Sequence, residues 1–158
     1  MNQSEQINSM LNSDDLEIVI SGLTLLESLV EDEETLYEYI PCKDCSSFKD
    51  LKKLFEGEHC GYLALWTLGM LAYFEVQWAL NITVLDLGDL QLIAIPETIT
   101  NLTQLKTLII RSNELTEIPE SLSNLTQLEY MNLKDNQLSD SEKENIRKIM
   151  DQLSKLYI

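Results

Sequence analysis

The chain has 158 residues, enough for one domain or for one compact unit made of two subdomains that share a core. Acidic residues outnumber basic ones 27 to 11, and the formal charge of -16 repels phosphate backbones and anionic lipid headgroups alike. Nucleic acids and membrane surfaces are therefore not expected partners. The charge favours solubility, and steering toward a basic partner is the alternative. The hydrophobic content of 44% is that of a folded protein rather than a disordered tail.

Residues 1–80 are predicted to form a helical N-terminal cap subdomain. After Ser13-Asp14-Asp15, one apolar stripe at helical spacing predicts a largely buried helix. The stripe comprises Leu16, Val19, Ile20, Leu23, Leu26 and Val30, and Ile18, Leu25 and Leu29 widen it. A short acidic helix is expected from Glu33 to Tyr39, ended by Pro41, and another from Phe48 to Phe55, begun by Ser46 or Ser47 and closed by Gly57.

The run Cys60–Phe74 contains fifteen residues without a charged side chain. A membrane span needs about 20 apolar residues and usually has basic flanks, whereas acidic residues stand on both sides of this run. We therefore expect a central core helix. With Trp66, Tyr73 and Trp78, it is the candidate element to pack against the segment that follows.

Cys42-Lys-Asp-Cys45 and His59-Cys60 supply four side chains of the kinds that bind zinc. The pattern lacks a second spaced pair, and the adjacent residues His59 and Cys60 are poorly placed to ligate one ion. Zinc binding or a thiol-dependent activity through these residues is an alternative function, and ordinary thiols near a helix junction are the expected one.

Catalytic motifs are missing from the sequence. It contains a single histidine, no glycine-rich phosphate loop, no HExxH motif and no nucleophile elbow. We therefore expect neither an enzyme nor a cofactor. The odd number of cysteines and an N-terminus without secretory-signal features predict a cytoplasmic location.

A 23-residue period runs through the second half of the chain without gaps. The recurring apolar and asparagine columns are Ile82/Leu105/Leu128, Leu85/Leu108/Met131, Leu87/Ile110/Leu133, Leu90/Asn113/Asn136 and Leu92/Leu115/Leu138. Ile95-Pro96 also recurs as Ile118-Pro119, and Asn101-Leu-Thr-Gln-Leu105 recurs verbatim as Asn124-Leu-Thr-Gln-Leu128.

This pattern resembles the leucine-rich-repeat family, in its 23-residue class LxxLxLxxNxLxxIPxxIxxLxx. The resemblance implies three repeats over residues 81–138, stacked as a short α/β solenoid with parallel strands, apolar columns inside and a concave face outside. Asn113 and Asn136 are expected to form a ladder of hydrogen bonds with neighbouring loop backbone. Pro96 and Pro119 interrupt any long helix and favour an extended or single-turn convex side.

The resemblance also implies that the concave strand face binds a partner protein. Its predicted residues are Val84, Asp86, Asp89, Thr107, Ile109, Arg111, Tyr130, Asn132 and Lys134. Ile109 and Tyr130 are its apolar members, and an aromatic beside a β-branched residue within a charged ring has the makeup of an interaction hot spot. An ordinary solvated sheet face is the alternative.

Departures from the repeat pattern mark both ends of the solenoid. Leu90 stands where asparagine is expected, which predicts apolar contact with whatever precedes the first repeat. Residues 139–158 are expected to form a C-terminal capping helix and tail, because Ser139 and Glu142 make a capping box and apolar residues follow at helical spacing. The tail Leu156–Ile158 is a candidate for one more edge strand.

The function implied is non-catalytic protein recognition. One version is an immunity or inhibitor protein that neutralises a basic toxin or enzyme, since a small acidic scaffold suits that task. The other is an adaptor or effector that binds a signalling protein. The sequence does not distinguish them, nor does it indicate an oligomeric state.

Overall fold

The computed structural model describes residues 3–55 and 59–158. Within the described residues, the N-terminal half is helical: α1 (Gln3–Leu11), α2 (Leu16–Glu27), α3 (Glu33–Tyr39), α4 (Phe48–Lys52), α5 (Cys60–Tyr73) and α6 (Gln77–Leu80). Asp15, Asp32 and Ser47 begin α2, α3 and α4, each accepting a main-chain N–H of the first turn. Gly57, expected to close α4, lies outside the described residues.

The predicted helices differ from the observed ones in detail. α4 ends at Lys52 instead of Phe55, and α2 ends at Glu27, before Val30. Ile18 and Ile20 are 44% and 38% exposed, so the prediction that both belong to a buried stripe was wrong. The reason is that α2 packs through Val19, Leu23 and Leu26, which leaves its other faces open to solvent.

α5 is the central helix of the molecule, as expected. Residues 61–72 are all buried, and the helix packs against a single-turn 3-10 helix, Glu97–Asn101, on the convex side of the first repeat. Thr98 Oγ1 donates to the Trp66 carbonyl at 3.3 Å, and Asn101 Nδ2 donates to the Gly69 carbonyl at 3.2 Å. Trp66 is therefore buried at this contact, but Tyr73 is 63% exposed, and its expected packing role was wrong.

The repeats form a parallel sheet in the order β1 (Val84–Asp86), β2 (Thr107–Ile109), β3 (Tyr130–Asn132) and β4 (Lys155–Tyr157). Between β1, β2 and β3, paired residues are 23 positions apart, for example Leu85 with Leu108 and Leu108 with Met131. A second 3-10 helix, Glu120–Asn124, follows Pro119 as the first follows Pro96. The predicted short α/β solenoid is confirmed.

The C-terminal end is closed by α7 (Asp140–Ile149) and β4. Ser139 begins α7, and its hydroxyl accepts the N–H of Glu142 at 3.1 Å. Ile146 and Met150 are buried in the same hydrophobic core as the leucine columns of the repeats. β4 then pairs parallel with β3, so the tail is the edge strand that the sequence suggested.

Asparagine side chains join each repeat to the one before it. Asn113 Oδ1 accepts the N–H groups of Leu90 at 3.1 Å and Leu92 at 2.9 Å, while its Nδ2 donates to the Leu87 carbonyl at 2.8 Å. Asn136 Oδ1 accepts the Leu115 N–H at 3.1 Å, and its Nδ2 donates to the Ile110 carbonyl at 2.8 Å, so it joins the third repeat to the second. Leu90 occupies the equivalent position in the first repeat, which follows the helical cap instead of another repeat. It packs against α5: a Cβ atom added to Gly61 would lie 3.5 Å from the Leu90 Cβ.

Candidate functional site

The strand register places the predicted face residues in two straight columns. Val84, Thr107 and Tyr130 are aligned across β1 to β3, and so are Asp86, Ile109 and Asn132. All six are exposed or half-buried, whereas the residue between them on each strand is buried. Arg111 and Lys134, both exposed, follow β2 and β3. The outward side chains therefore share one face, which we call the concave face.

An aromatic pair occupies the C-terminal end of the concave face. The rings of Tyr130 on β3 and Tyr157 on β4 lie 5.5 Å apart between centroids, and Lys134 Nζ lies 5.3 Å from the Tyr157 centroid. Tyr157 remains 40% exposed. The sequence did not assign Tyr157 to this face, because the 23-residue period ends before α7 and no longer fixes the register.

Two predicted binding residues also shape the loops that follow the strands. Asp86 Oδ1 accepts the Gly88 N–H at 2.9 Å, and Asn132 Oδ1 accepts the Lys134 N–H at 3.1 Å. Short side chains that bond two residues ahead stabilise turns in this way. The repeated spacing of these residues, 46 positions apart, was a sequence signal for this turn role.

The same loops contain a left-handed residue in each repeat. Asp89, Ser112 and Asp135 have φ angles of 58°, 55° and 59° and occupy equivalent positions. Beside this turn, Arg111 Nη1 contacts Asp89 Oδ2 at 3.1 Å. Because both side chains are largely exposed, this ion pair adds little to stability and leaves Arg111 able to exchange partners.

A groove of about 740 Å³ runs between α4 and the outer side of β1, and we call it the edge groove. Its charged lining residues are Lys49, Lys52, Lys53, Asp86 and Arg111. Lys53 also contacts Asp50 at 3.0 Å, and hydrogen bonds from Ser47 and Lys53 hold the pKa of Asp50 at about 2. Sequence reasoning missed this groove because α4 precedes β1 by more than thirty residues with no periodic relation to it.

A second cleft, of about 580 Å³, lies between α2, α5 and the first 3-10 helix. Ile20, Tyr62, Trp66 and Glu97 are among its lining residues. Burial, with a smaller contribution from the charge of Glu97, raises the pKa of Tyr62 to about 12. Ile20 lines this open cleft and is therefore 38% exposed.

The four candidate zinc ligands do not converge. Among the described residues, no three His, Cys, Asp or Glu side chains are grouped so that they could hold a metal ion. His59 Nε2 instead lies 3.1 Å from the Asp14 carbonyl, which ties the start of α5 to the loop before α2. Burial raises the pKa of Cys42 to about 12, with Cys45 contributing, and this opposes the thiolate that a reactive cysteine needs.

Within the described residues, no helix combines the length and the apolar character needed to cross a bilayer. α5, the most hydrophobic run in the sequence, has 14 residues.

Comparison with known proteins identifies the repeats. The Leucine rich repeat family matches residues 81–138. This chain is similar to a leucine-rich-repeat protein from Leptospira interrogans whose structure has been solved. The two share 32% sequence identity over 51% of this chain, with a TM-score of 0.47. The matched part covers 21% of the Leptospira chain, about a fifth of its length. No curated protein shows a significant match.

Proposed function

Since residues 81–138 are leucine-rich repeats, we propose that this protein is a non-catalytic recognition module that binds a partner protein through its concave face. The observation that carries the proposal is the alignment of outward side chains across β1 to β3, which presents them together on one face. Val84 is 61% exposed, and Ile109 and Tyr130 are half-buried, so the face offers apolar area to a partner.

The proposed centre of binding is Ile109 together with the Tyr130 and Tyr157 pair. Tyrosine offers large contact area with few rotatable bonds and is enriched among residues that dominate binding energy. The two rings already contact each other in the free protein, with centroids 5.5 Å apart and planes tilted by 42°, so part of the side-chain freedom is lost before binding. Lys134 beside Tyr157 adds a positive charge that favours a partner with a carboxylate nearby.

The test is co-purification of partners with tagged wild-type protein and with the double variant Ile109→Asp, Tyr130→Ala. Truncation at a hot spot costs about 2 kcal/mol or more, which is roughly a 30-fold loss of affinity, so the double variant should recover little partner. The control is Glu117→Ala, Glu120→Ala, because these exposed residues flank Pro119 on the convex side. Equal recovery by both variants, with unchanged circular dichroism, would defeat the assignment of the concave face.

A second candidate role is neutralisation of a basic toxin or enzyme, and the net charge of -16 favours it. In that case the association rate with the captured partner should fall steeply as salt rises, because charge steering is screened beyond about 8 Å at physiological ionic strength. An association rate independent of salt would instead support an adaptor role.

The free thiols Cys42, Cys45 and Cys60 fit a reducing compartment, and we place the protein in the cytoplasm on that ground.

A further inference from the structure

The outer edge of β1 presents unpaired main-chain groups. β1 is the first strand of the sheet, and no strand of the described chain pairs with its other side. On the inner side, Thr83 O accepts the Thr107 N–H at 3.0 Å and Leu87 N donates to Ile109 O at 2.7 Å. Since successive residues of a strand direct their N–H and C=O groups to opposite sides, those of Val84 and Asp86 point away from β2.

The edge groove leaves room beside this edge. α4 lies on the far side of the groove, and the space of about 740 Å³ between them is in the range of a ligand-binding cleft. A neighbouring strand would sit about 4.8 Å from β1. Val84, 61% exposed, is an apolar residue of the groove's lining.

The charge of the edge groove is opposite to that of the protein as a whole. Three of the four basic residues in the first eighty, Lys49, Lys52 and Lys53, lie on α4 or at its end, and all three line the groove with Arg111. Asp86 is the carboxylate among the lining residues. Among the described ion pairs, none involves Lys49 or Lys52, whereas Lys53 and Arg111 are paired. Two lysines are therefore available to an anionic ligand.

We propose that an extended acidic segment of a partner protein adds to the outer edge of β1 as a further strand. The main-chain groups of Val84 and Asp86 pair with the segment, and Lys49 and Lys52 bind its carboxylates. Strand addition of this kind derives affinity from main-chain hydrogen bonds and specificity from the flanking side chains. The site uses the edge of the sheet, so it is independent of the proposed hot spot at Ile109 and Tyr130.

The probe is a fluorescein-labelled heptapeptide of alternating glutamate and valine, followed by fluorescence anisotropy at low ionic strength. It should bind the wild-type protein, and an uncharged serine–valine peptide of the same length should bind more weakly. Lys49→Glu, Lys52→Glu should weaken binding about tenfold, since each exposed ion pair contributes modestly and reversal adds repulsion. Lys143→Glu, Lys148→Glu on α7, at the opposite end of the sheet, should leave binding unchanged.

Main-chain pairing is tested separately. The same glutamate–valine peptide N-methylated at its central amides keeps its charge but cannot pair as a strand, and it should lose binding. Hydrogen exchange should slow at the Val84 and Asp86 amides when the unmethylated peptide is bound. The variant Ile109→Asp, Tyr130→Ala should bind the peptide normally, which separates this site from the concave face.

Failure of the glutamate–valine peptide to bind, or equal binding of its methylated form, would overturn the proposal. So would unchanged affinity in the Lys49→Glu, Lys52→Glu variant. The Lys49→Glu, Lys52→Glu variant could also keep its affinity for the peptide and form dimers in gel filtration. That result would mean that the lysines prevent the strand edge from pairing with a second copy, and it would overturn the proposal as well.

Discussion

Replacement of Gly69 by alanine should separate the helical cap from the first repeat. A Cβ atom at position 69 would lie 2.3 Å from the Thr98 carbonyl oxygen, 2.5 Å from its carbonyl carbon and 2.7 Å from its Cβ. Two of these atoms are main chain, so no side-chain rotation relieves the clash. α5 and the 3-10 helix would have to move apart.

The expected loss of stability follows from three contributions. Overpacking a tight core contact costs about 1–3 kcal/mol. Moving the elements apart weakens the bonds from Thr98 to Trp66 and from Asn101 to Gly69, each contributing about 1 kcal/mol. Alanine in a helix interior regains about 1 kcal/mol over glycine. The net destabilisation is therefore about 2–4 kcal/mol, or roughly 5–15 °C in Tm for a protein of this size.

Urea denaturation followed by circular dichroism measures the effect, and Gly61→Ala is the matched control. Gly61 lies on the same helix, but its added Cβ would meet the flexible end of Leu92 at 3.2 Å, which can shift. We expect the control to change the free energy of unfolding by less than about 1 kcal/mol. If Gly69→Ala were as stable as the wild type, the close packing of α5 on the first repeat would be refuted.

Three further predictions concern the repeats and the buried ionisable groups. Asn113→Ala should destabilise the protein more than Asn136→Ala in urea denaturation, by about 1–2 kcal/mol, because Asn113 is only 6% exposed and bonds to more main-chain groups. Ser139→Ala should cost about 1 kcal/mol through loss of the N-cap of α7, and Ser139→Asp, which can also cap, should restore most of it. Burial raises the pKa of Cys42 and of Tyr62 to about 12 in the folded protein, from ordinary values near 9 and 10. The stability that these two protonated groups contribute is therefore complete below about pH 9 and is lost as pH rises toward 12. The urea midpoint should therefore fall across this alkaline range, and it should fall less in Tyr62→Phe; equal slopes in the variant and the wild type would argue against a buried tyrosine hydroxyl.

The repeats were predictable because a fixed period determines both the strand register and the inward columns. Once Leu85, Leu108 and Met131 were aligned, the residues on either side of them had to face outward together. The ends of the array were predictable for a related reason. Leu90 stands where the period has asparagine, which indicates an apolar neighbour, and the capping box of Ser139 and Glu142 indicates a helix start.

Features that depend on contacts between distant segments were not predictable. The stripe on α2 indicated a helix face but not which neighbour would cover it, so the exposure of Ile20 was missed. Tyr157 follows a helix that interrupts the period, and only the pairing of β4 with β3 brings it beside Tyr130. The edge groove likewise exists because α4 packs on α5 and so lies across the groove from β1, an arrangement that no local pattern specifies.

The asparagine bonds give the array a direction in which it can grow. Each of these side chains bonds to the main chain of the preceding repeat. In a 23-residue copy inserted between the second and third repeats, the asparagine could therefore bond to the second repeat, and Asn136 could bond to the main chain of the copy. A copy placed before the first repeat would have to replace the contact between Leu90 and α5. The Leu90 side chain could not form hydrogen bonds to that copy, because it has no polar atom. Lengthened relatives of this protein should therefore arise by interior duplication, with the helical cap kept next to an unchanged first repeat.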